Sequence, residues 1–349
     1  MAYENVFKTG RLSVGLKQSY SYTNNKYFGD ILSSLSMKQL YTHFYSEWFG
    51  KVKSRMTYSI GIGGMYSHTE QGDIVRDKWL FTPSIRLGYK FNDRTELRYK
   101  GKLSEQSPSL GDMNDIEQTL DTLQIRKGNP LLLPFTSYNN SITFSTGYNK
   151  FNFFLDVSDN YSPNQIMESV YVRDNYIIRT MENQKYWHNV LTTINLSYGA
   201  SNFYVYARGG LNWTDSKGLN YHHYLRNWFY KFGIEGSWKK WTAYSEIGNG
   251  RTSLVGETMS ERDKSAYVGL SYRINNLYLN AIAFFSLQKW TNKDVNYNKS
   301  AYQEKYFYTN NRNMVMLKAI WNFQFGRKAN KKNKLINNSD SESGILNAR

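Results

Sequence analysis

The chain of 349 residues contains no cysteine. That excludes disulfide cross-links and thiolate metal or redox chemistry. Proline is scarce, at 5 residues, so little interrupts long strands. No run of 18 or more apolar residues is present. A transmembrane helix is therefore excluded, whereas membrane-crossing strands need only about 9–11 residues each and show alternation instead of bulk hydrophobicity. The opening residues, Met1-Ala2-Tyr3-Glu4-Asn5-Val6-Phe7-Lys8, hold neither an apolar core nor a small-residue cleavage site, so they do not read as a signal peptide. Acidic residues are in deficit, with 28 Asp+Glu against 44 Lys+Arg and a net charge of +16. The segment Arg327 to Arg349 holds six Lys/Arg and two Asp/Glu, which leaves +12 on the rest.

What the chain has in abundance is aromatic side chains. Aromatics make up 17% of residues, with 30 Tyr, in a chain whose mean hydropathy is −0.64. Aromatics in a polar chain suit sheets with one apolar and one wet face, and do not suit disorder. A period of two recurs along the chain. Leu12, Val14 and Leu16 alternate with Ser13, Gly15 and Lys17. Ile142, Phe144, Thr146 and Tyr148 alternate with Ser141, Thr143, Ser145 and Gly147. Ala266, Val268, Leu270, Tyr272 and Ile274 alternate with Ser265, Tyr267, Gly269, Ser271 and Arg273. Such alternation marks strands with unlike faces.

About 14 such runs are expected, at a spacing of roughly 25 residues. Tight turns at Gly50, Asn92, Asn149, Ala200, Lys239 and Asn275 alternate with long connections, placing all short turns on one rim. A smaller hairpin is expected at Val170–Val172 and Tyr176–Ile178, and part of Glu105–Lys127 reads as helical from Ile116, Leu120 and Leu123. The apolar face ends beside the short turns in Tyr89, Phe91, Tyr148, Tyr198, Trp238, Trp241, Tyr272, Phe323 and Phe325, as an aromatic girdle at a membrane interface would. The other face holds Ser, Asn, Gly, Tyr, Arg and Lys, which suits a water-filled lumen and not a protein core. The fold expected is all-β, an antiparallel transmembrane β-barrel over residues 1–326, followed by a basic polar tail over 327–349.

No catalytic constellation is visible. The five His have neither metalloprotease spacing nor Cys partners, and no cofactor is implied. His222-His223 and the cluster Glu257, Glu261 and Asp263 are expected to be solvated loop residues. The inward-facing cations are Arg86, Arg98, Lys100, Arg208, Arg273 and Lys318. One reading makes them a cationic lumen that binds a plug or favours anionic solutes. The other, which is preferred, is an ordinary polar lumen whose arginines pair with Glu96 or Glu235. Aromatics lie opposite the charges in each strand, which argues against nucleic-acid binding. Leu270→Arg should be costly on the lipid face, and Ser271→Arg nearly neutral on the lumen face.

Gly128-Asn129-Pro130 with Leu133-Pro134 stands ahead of a strand, and Ser107-Pro108-Ser109-Leu110 opens the long connection before it. The last strand ends in Phe323-Gln324-Phe325-Gly326-Arg327. In these features the sequence resembles the outer-membrane β-barrels of TonB-dependent receptors, particularly the Bacteroidetes-type outer-membrane barrel proteins. The first resembles the family's Gly-Asn-Pro-x-Leu-x-Pro motif, the second a loop entry in these barrels, and the third their aromatic last strand. The resemblance implies localisation in the cell outer membrane, contact with its lipid, and nutrient uptake. Partners would be a plug domain and TonB in a full-length parent, with no transported ligand identifiable. Plug and signal peptide are lacking here, so the expectation is the C-terminal part of a larger barrel or a small closed one. A non-transporting surface barrel, using its long loops for adhesion or ligand capture, is the alternative, and a soluble all-β binding protein the third.

Overall fold

The structure is a computed structural model that describes residues 2–27, 33–308 and 313–323. Phe325 and the tail 327–349 lie outside the described residues. In chain order the first elements are β1 (Ala2–Phe7), β2 (Gly10–Tyr27), β3 (Ser33–Val52), β4 (Met56–Gln71), β5 (Ile74–Phe81), β6 (Ser84–Asn92) and β7 (Thr95–Gln106). There follow α1 (Leu110–Met113), β8 (Gln118–Thr119), β9 (Gln124–Arg126), β10 (Phe135–Tyr148), β11 (Phe151–Pro163), β12 (Ile166–Arg173) and β13 (Tyr176–Asn183). Next are β14 (Tyr186–Gly199), β15 (Phe203–Lys217), β16 (His222–Trp238), β17 (Trp241–Asn249), β18 (Ser253–Val255) and β19 (Thr258–Arg262). The last are β20 (Lys264–Ile274), β21 (Leu277–Ser286), β22 (Asn292–Asn296), β23 (Gln303–Phe307) and β24 (Asn313–Trp321).

One antiparallel wall runs β1-β2-β3-β4-β6-β7-β10-β11-β14-β15-β16-β17-β20-β21-β24, with β5 paired to the far half of β4. Fourteen of its strands are the alternating runs of the sequence, and Ala2–Phe7 is additional, pairing from Ala2↔Gly15 to Phe7↔Gly10. Among the described residues β1 and β24 do not pair, so the wall is an open sheet. Both of these edge strands run toward the short-turn rim, which makes them parallel to one another.

The short turns span 8–9, 53–55, 93–94, 149–150, 200–202, 239–240 and 275–276. Asn149, Lys239 and Asn275 take the left-handed backbone, with φ of +52°, +55° and +48°. Asn is the non-glycine residue that tolerates this region best. The expected turn at Gly50-Lys51 is instead at 53–55, with Lys53 at φ +51°. Gly50 sits inside β3, opposite Tyr58, whose ring lies where a Cβ at 50 would project. That glycine makes room for a cross-strand aromatic and does not form a turn.

The apolar side chains of the wall are exposed. Ile60, Ile142, Leu196, Val268 and Leu270 all face out of the sheet. Between Tyr138 and Tyr148, Phe151 and Tyr161, and Trp228 and Trp238, the separation is ten residues. At about 3.3 Å per residue and a tilt of about 45°, ten residues rise about 23 Å, close to the apolar band of a membrane barrel. The short-turn end of this belt carries Trp241 against Tyr272 (ring centroids 4.4 Å apart) and Phe151 against Tyr198 (4.8 Å). A second aromatic row, at the long-connection end, links Tyr138 to Tyr161 and His188 to Trp213. Beyond it, outward-facing carboxylates take histidine partners: Asp159 with His188, Asp215 with His222, and Asp77 with His68.

The buried hydrophobic residues are mostly outside the wall. Leu110, Met113, Leu132, Met167, Val170, Ile178, Leu254, Val295 and Ala301 all belong to the long connections. These connections form two small sheets, β12-β13-β9-β8 and β18-β19-β22-β23. The expected helix through Ile116–Leu123 is absent: α1 ends at Met113, and 118–126 forms β8 and β9. Asp121 accepts from the backbone N–H groups of Leu123 and Gln124, an Asx turn that outcompetes helix.

Candidate functional site

The register places all six cations singled out in the sequence on the polar face. Ser59, Arg86, Lys100 and Ser141 are successive cross-strand partners, as are Gly88, Arg98 and Thr143. Arg208 lies opposite Asn195 and Lys231, and Lys318 opposite Asn280, which pairs with Ser271; Arg273 is two residues on. They do not converge. Arg86 Nη1 is 3.4 Å from Glu47 Oε1, and Arg98 grips both oxygens of Glu96 at 2.7 Å. Arg208 shares the field of Glu246, which accepts from Lys231 Nζ at 2.8 Å and from the Tyr206 hydroxyl. Among the described residues no carboxylate oxygen lies within 4.0 Å of Lys100, Arg273 or Lys318. Arg273 joins Lys239 and Lys240 around a cavity of about 710 Å³ at the short-turn rim.

At the opposite rim, long connections fold back onto this polar face. Gln39 Nε2 donates to Pro108 O at 3.1 Å and Gln71 Nε2 to Asp115 Oδ1 at 3.1 Å, seating the 107–134 connection on β3 and β4. Asn212 Nδ2 donates to Thr252 O at 2.9 Å and the Ser216 hydroxyl to Gly256 O at 2.9 Å, seating the β17–β20 connection on β15. The β11–β14 and β21–β24 connections, which share the two small sheets with these seated segments, are tied together. Arg179 Nη1 donates to Gln303 Oε1 at 3.0 Å, and Asn298 Nδ2 donates to Val170 O at 2.7 Å. Asn298 also donates to Glu257 Oε2 at 2.8 Å, so Glu257 is buried and not solvated as expected. His223 is likewise packed, stacked on Tyr221 with centroids 5.4 Å apart. Burial pushes the Tyr221 hydroxyl up.

Gly128-Asn129-Pro130 brackets three parts of this cap. Gly128 N–H donates to Asn114 O and Asn129 N–H to Asp112 O, both at 2.7 Å, behind α1. Asn129 Oδ1 accepts from Leu131 N–H at 3.0 Å, and its Nδ2 donates to Met181 O at 3.1 Å on β13. Pro134 O accepts from Lys78 Nζ on β5. A Cβ at 128 would sit 2.7 Å from both Asn114 N and Asp112 O, so only glycine fits.

Sequence reasoning passed over Lys17, His43 and Lys102. They line a cavity of about 360 Å³ on the polar face, with Thr82, Ser104, Ser107 and the carboxylate of Glu105. The cavity lies beneath the seated 107–134 connection, where Thr82-Pro83 interrupts β5 and β6. The signal was available in the alternation, which already puts Lys17 and Lys102 on the wet face, but nothing in the sequence says that β2 and β7 approach one another.

A family model described as the outer membrane protein beta-barrel family matches residues 1–243. No curated protein matches the chain in sequence. Among solved structures, the copper transporter OprC is similar with a TM-score of 0.66 at 12% identity, over 81% of this chain and 49% of that one. The FrpB iron transporter from Neisseria meningitidis (F5-1 variant) gives 0.67 at 9% identity, over 92% and 54%. The siderophore receptor PirA from Pseudomonas aeruginosa gives 0.56 at 10% identity, over 89% and 58%. The chain thus spans about half the length of the structures it matches.

Proposed function

Because this chain belongs to the outer membrane protein beta-barrel family and resides in the outer membrane, we propose that it forms wall and mouth of a TonB-dependent receptor for solute uptake. The observation that carries this reading is the seating of two long connections on the polar face, through Gln39, Gln71, Asn212 and Ser216. A mouth folded over its own interior suits selective admission of a solute, in contrast to an open pore. The solved structures named for copper, iron and siderophore handling support uptake as the activity and leave the solute open. A plug and the TonB contact belong to the complete transporter, in which the six polar-face cations face plug or solute.

A second reading, capture at the surface without transport, is favoured by the exposed strip Tyr302, Tyr306 and Tyr308. One experiment separates them. Solutes remaining in the medium are profiled for cells with and without the gene, and with the proton gradient collapsed. Transport predicts solutes that stay undepleted in both impaired cultures. Depletion that is lost without the gene but kept when the gradient is collapsed overturns it and leaves surface capture, and equal depletion in all three overturns both.

A further inference from the structure

We infer that the cavity beneath the seated 107–134 connection is a binding station for a small oxyanion, a solute bearing phosphate or clustered carboxylates. The inference rests on the reading of the polar face as a solute passage and adds where, and with what charge, a solute pauses. Lys17 and His43 are direct cross-strand partners, and His43 is the partner of Met65 on the next strand. Lys102 comes from β7 on the other side of the Thr82-Pro83 break, opposite Ser84. Lys17, His43 and Lys102 all line this cavity, so the three groups converge on one space. His43 Nε2 is held by the Thr82 hydroxyl at 3.1 Å.

The carboxylate in the cavity lining, Glu105, accepts from the Ser107 hydroxyl and forms no ion pair with either lysine. Among the described residues no carboxylate oxygen lies within 4.0 Å of either ammonium. Two unpaired ammonium groups facing one partly enclosed cavity repel each other, and that repulsion is relieved when an anion sits between them. Arg86, Arg98 and Lys231, by contrast, already hold carboxylates and have less to offer a solute. The volume, about 360 Å³, is at the small end for ligand sites. The Ser104 hydroxyl accepts from Asn139 Nδ2 at 2.6 Å, which leaves its proton available to an anion.

The test uses the full chain purified in detergent, with inorganic phosphate and citrate titrated separately by calorimetry at low salt. The wild-type protein should bind at least one of the two, and which one it prefers distinguishes a phosphate from a carboxylate solute. K17M/K102M should weaken that binding by about tenfold or more while heat-modifiable gel migration is unchanged. K239M/K240M removes the same charge at the short-turn rim and should leave the affinity as it was. Binding of neither anion, equal affinity in K17M/K102M, or an equal loss in K239M/K240M would each overturn the assignment. The medium-depletion experiment reads transport separately, so a silent cavity in a working transporter and an occupied cavity in a non-transporting barrel give different result pairs.

Discussion

Arg179 holds Glu168 by both carboxylate oxygens, Nε to Oε1 at 2.9 Å and Nη2 to Oε2 at 2.8 Å, while Nη1 reaches Gln124 and Gln303. One guanidinium therefore joins β12, β13, β9 and β23, and reaches a partner, Gln303, 124 residues along the chain. The planar fork supplies these donors in fixed directions, which a lysine cannot match. R179K should loosen the cap by about 1–2 kcal/mol, read as about five- to thirtyfold faster amide exchange in β22–β23. Wall strands should keep their protection; loss there as well would mean that cap and wall are one cooperative unit.

The two faces of the wall should respond to charge differently from each other. Leu270→Arg places a cation on the lipid side and should cost about 2–4 kcal/mol in a lipid-refolding titration. Lys100→Ser, on the polar face, should stay within about 0.5 kcal/mol. Ser271→Arg is no longer the neutral control that alternation alone suggests. Ser271 is 2% exposed, and its hydroxyl is 2.7 Å from the Tyr278 hydroxyl, so an arginine there must displace packed side chains. Equal costs for Leu270→Arg and Lys100→Ser would reverse the assignment of faces.

Gly128→Ala brings a methyl against the backbone of Asn114 and Asp112. Overpacking against backbone costs about 1–3 kcal/mol. The expected outcome is protease cleavage within 107–134 of a protein that still migrates as a folded membrane species. Unchanged cleavage would show that the bracket is not needed to seat the connection.

The cap should also respond to acid. Glu117 is held below the usual glutamate range by its hydrogen bond and charge contact with Arg173, and by Lys127. A carboxyl lowered in the folded state stabilises it above the unfolded pKa of about 4.3, and that contribution is lost as pH falls through the folded value. Amide protection, corrected for intrinsic exchange, around 117 and 173 should be flat above about pH 5 and decline below about pH 4. The decline should vanish in Glu117→Gln.

Asn149, at φ +52°, tests a short turn. Asn149→Ala should lower stability by about 1 kcal/mol and Asn149→Gly should be close to neutral, by urea titration in lipid. The reverse order would show that the asparagine side chain, and not its backbone tolerance, is what the turn uses.

The wall was legible in the sequence because lipid and water impose opposite chemistry on successive residues. Val268, Leu270 and Tyr272 against Ser271 and Arg273 could be read directly. The alternation lost its apolar sign at Asp159, His188 and Asp215, where strands leave the lipid, so β11 and β14 run further than the pattern suggested. The cap was illegible for another reason. Its buried residues, such as Leu132, Met113, Leu254 and Val295, come from separate connections and follow no period. The 360 Å³ cavity was hidden likewise, since Lys17 and Lys102 meet only through the folded sheet.

The common polarity of β1 and β24 bears on self-assembly. Copies inserted in one membrane share an orientation, so β24 of one copy meets β1 or β24 of another only in parallel. Membrane walls are built from antiparallel ladders, and parallel pairing is the weaker kind. The two open edges therefore discriminate against other copies of the same chain without any charged or proline gatekeeper. They accept an odd number of intervening strands, the first and last of which run opposite to them.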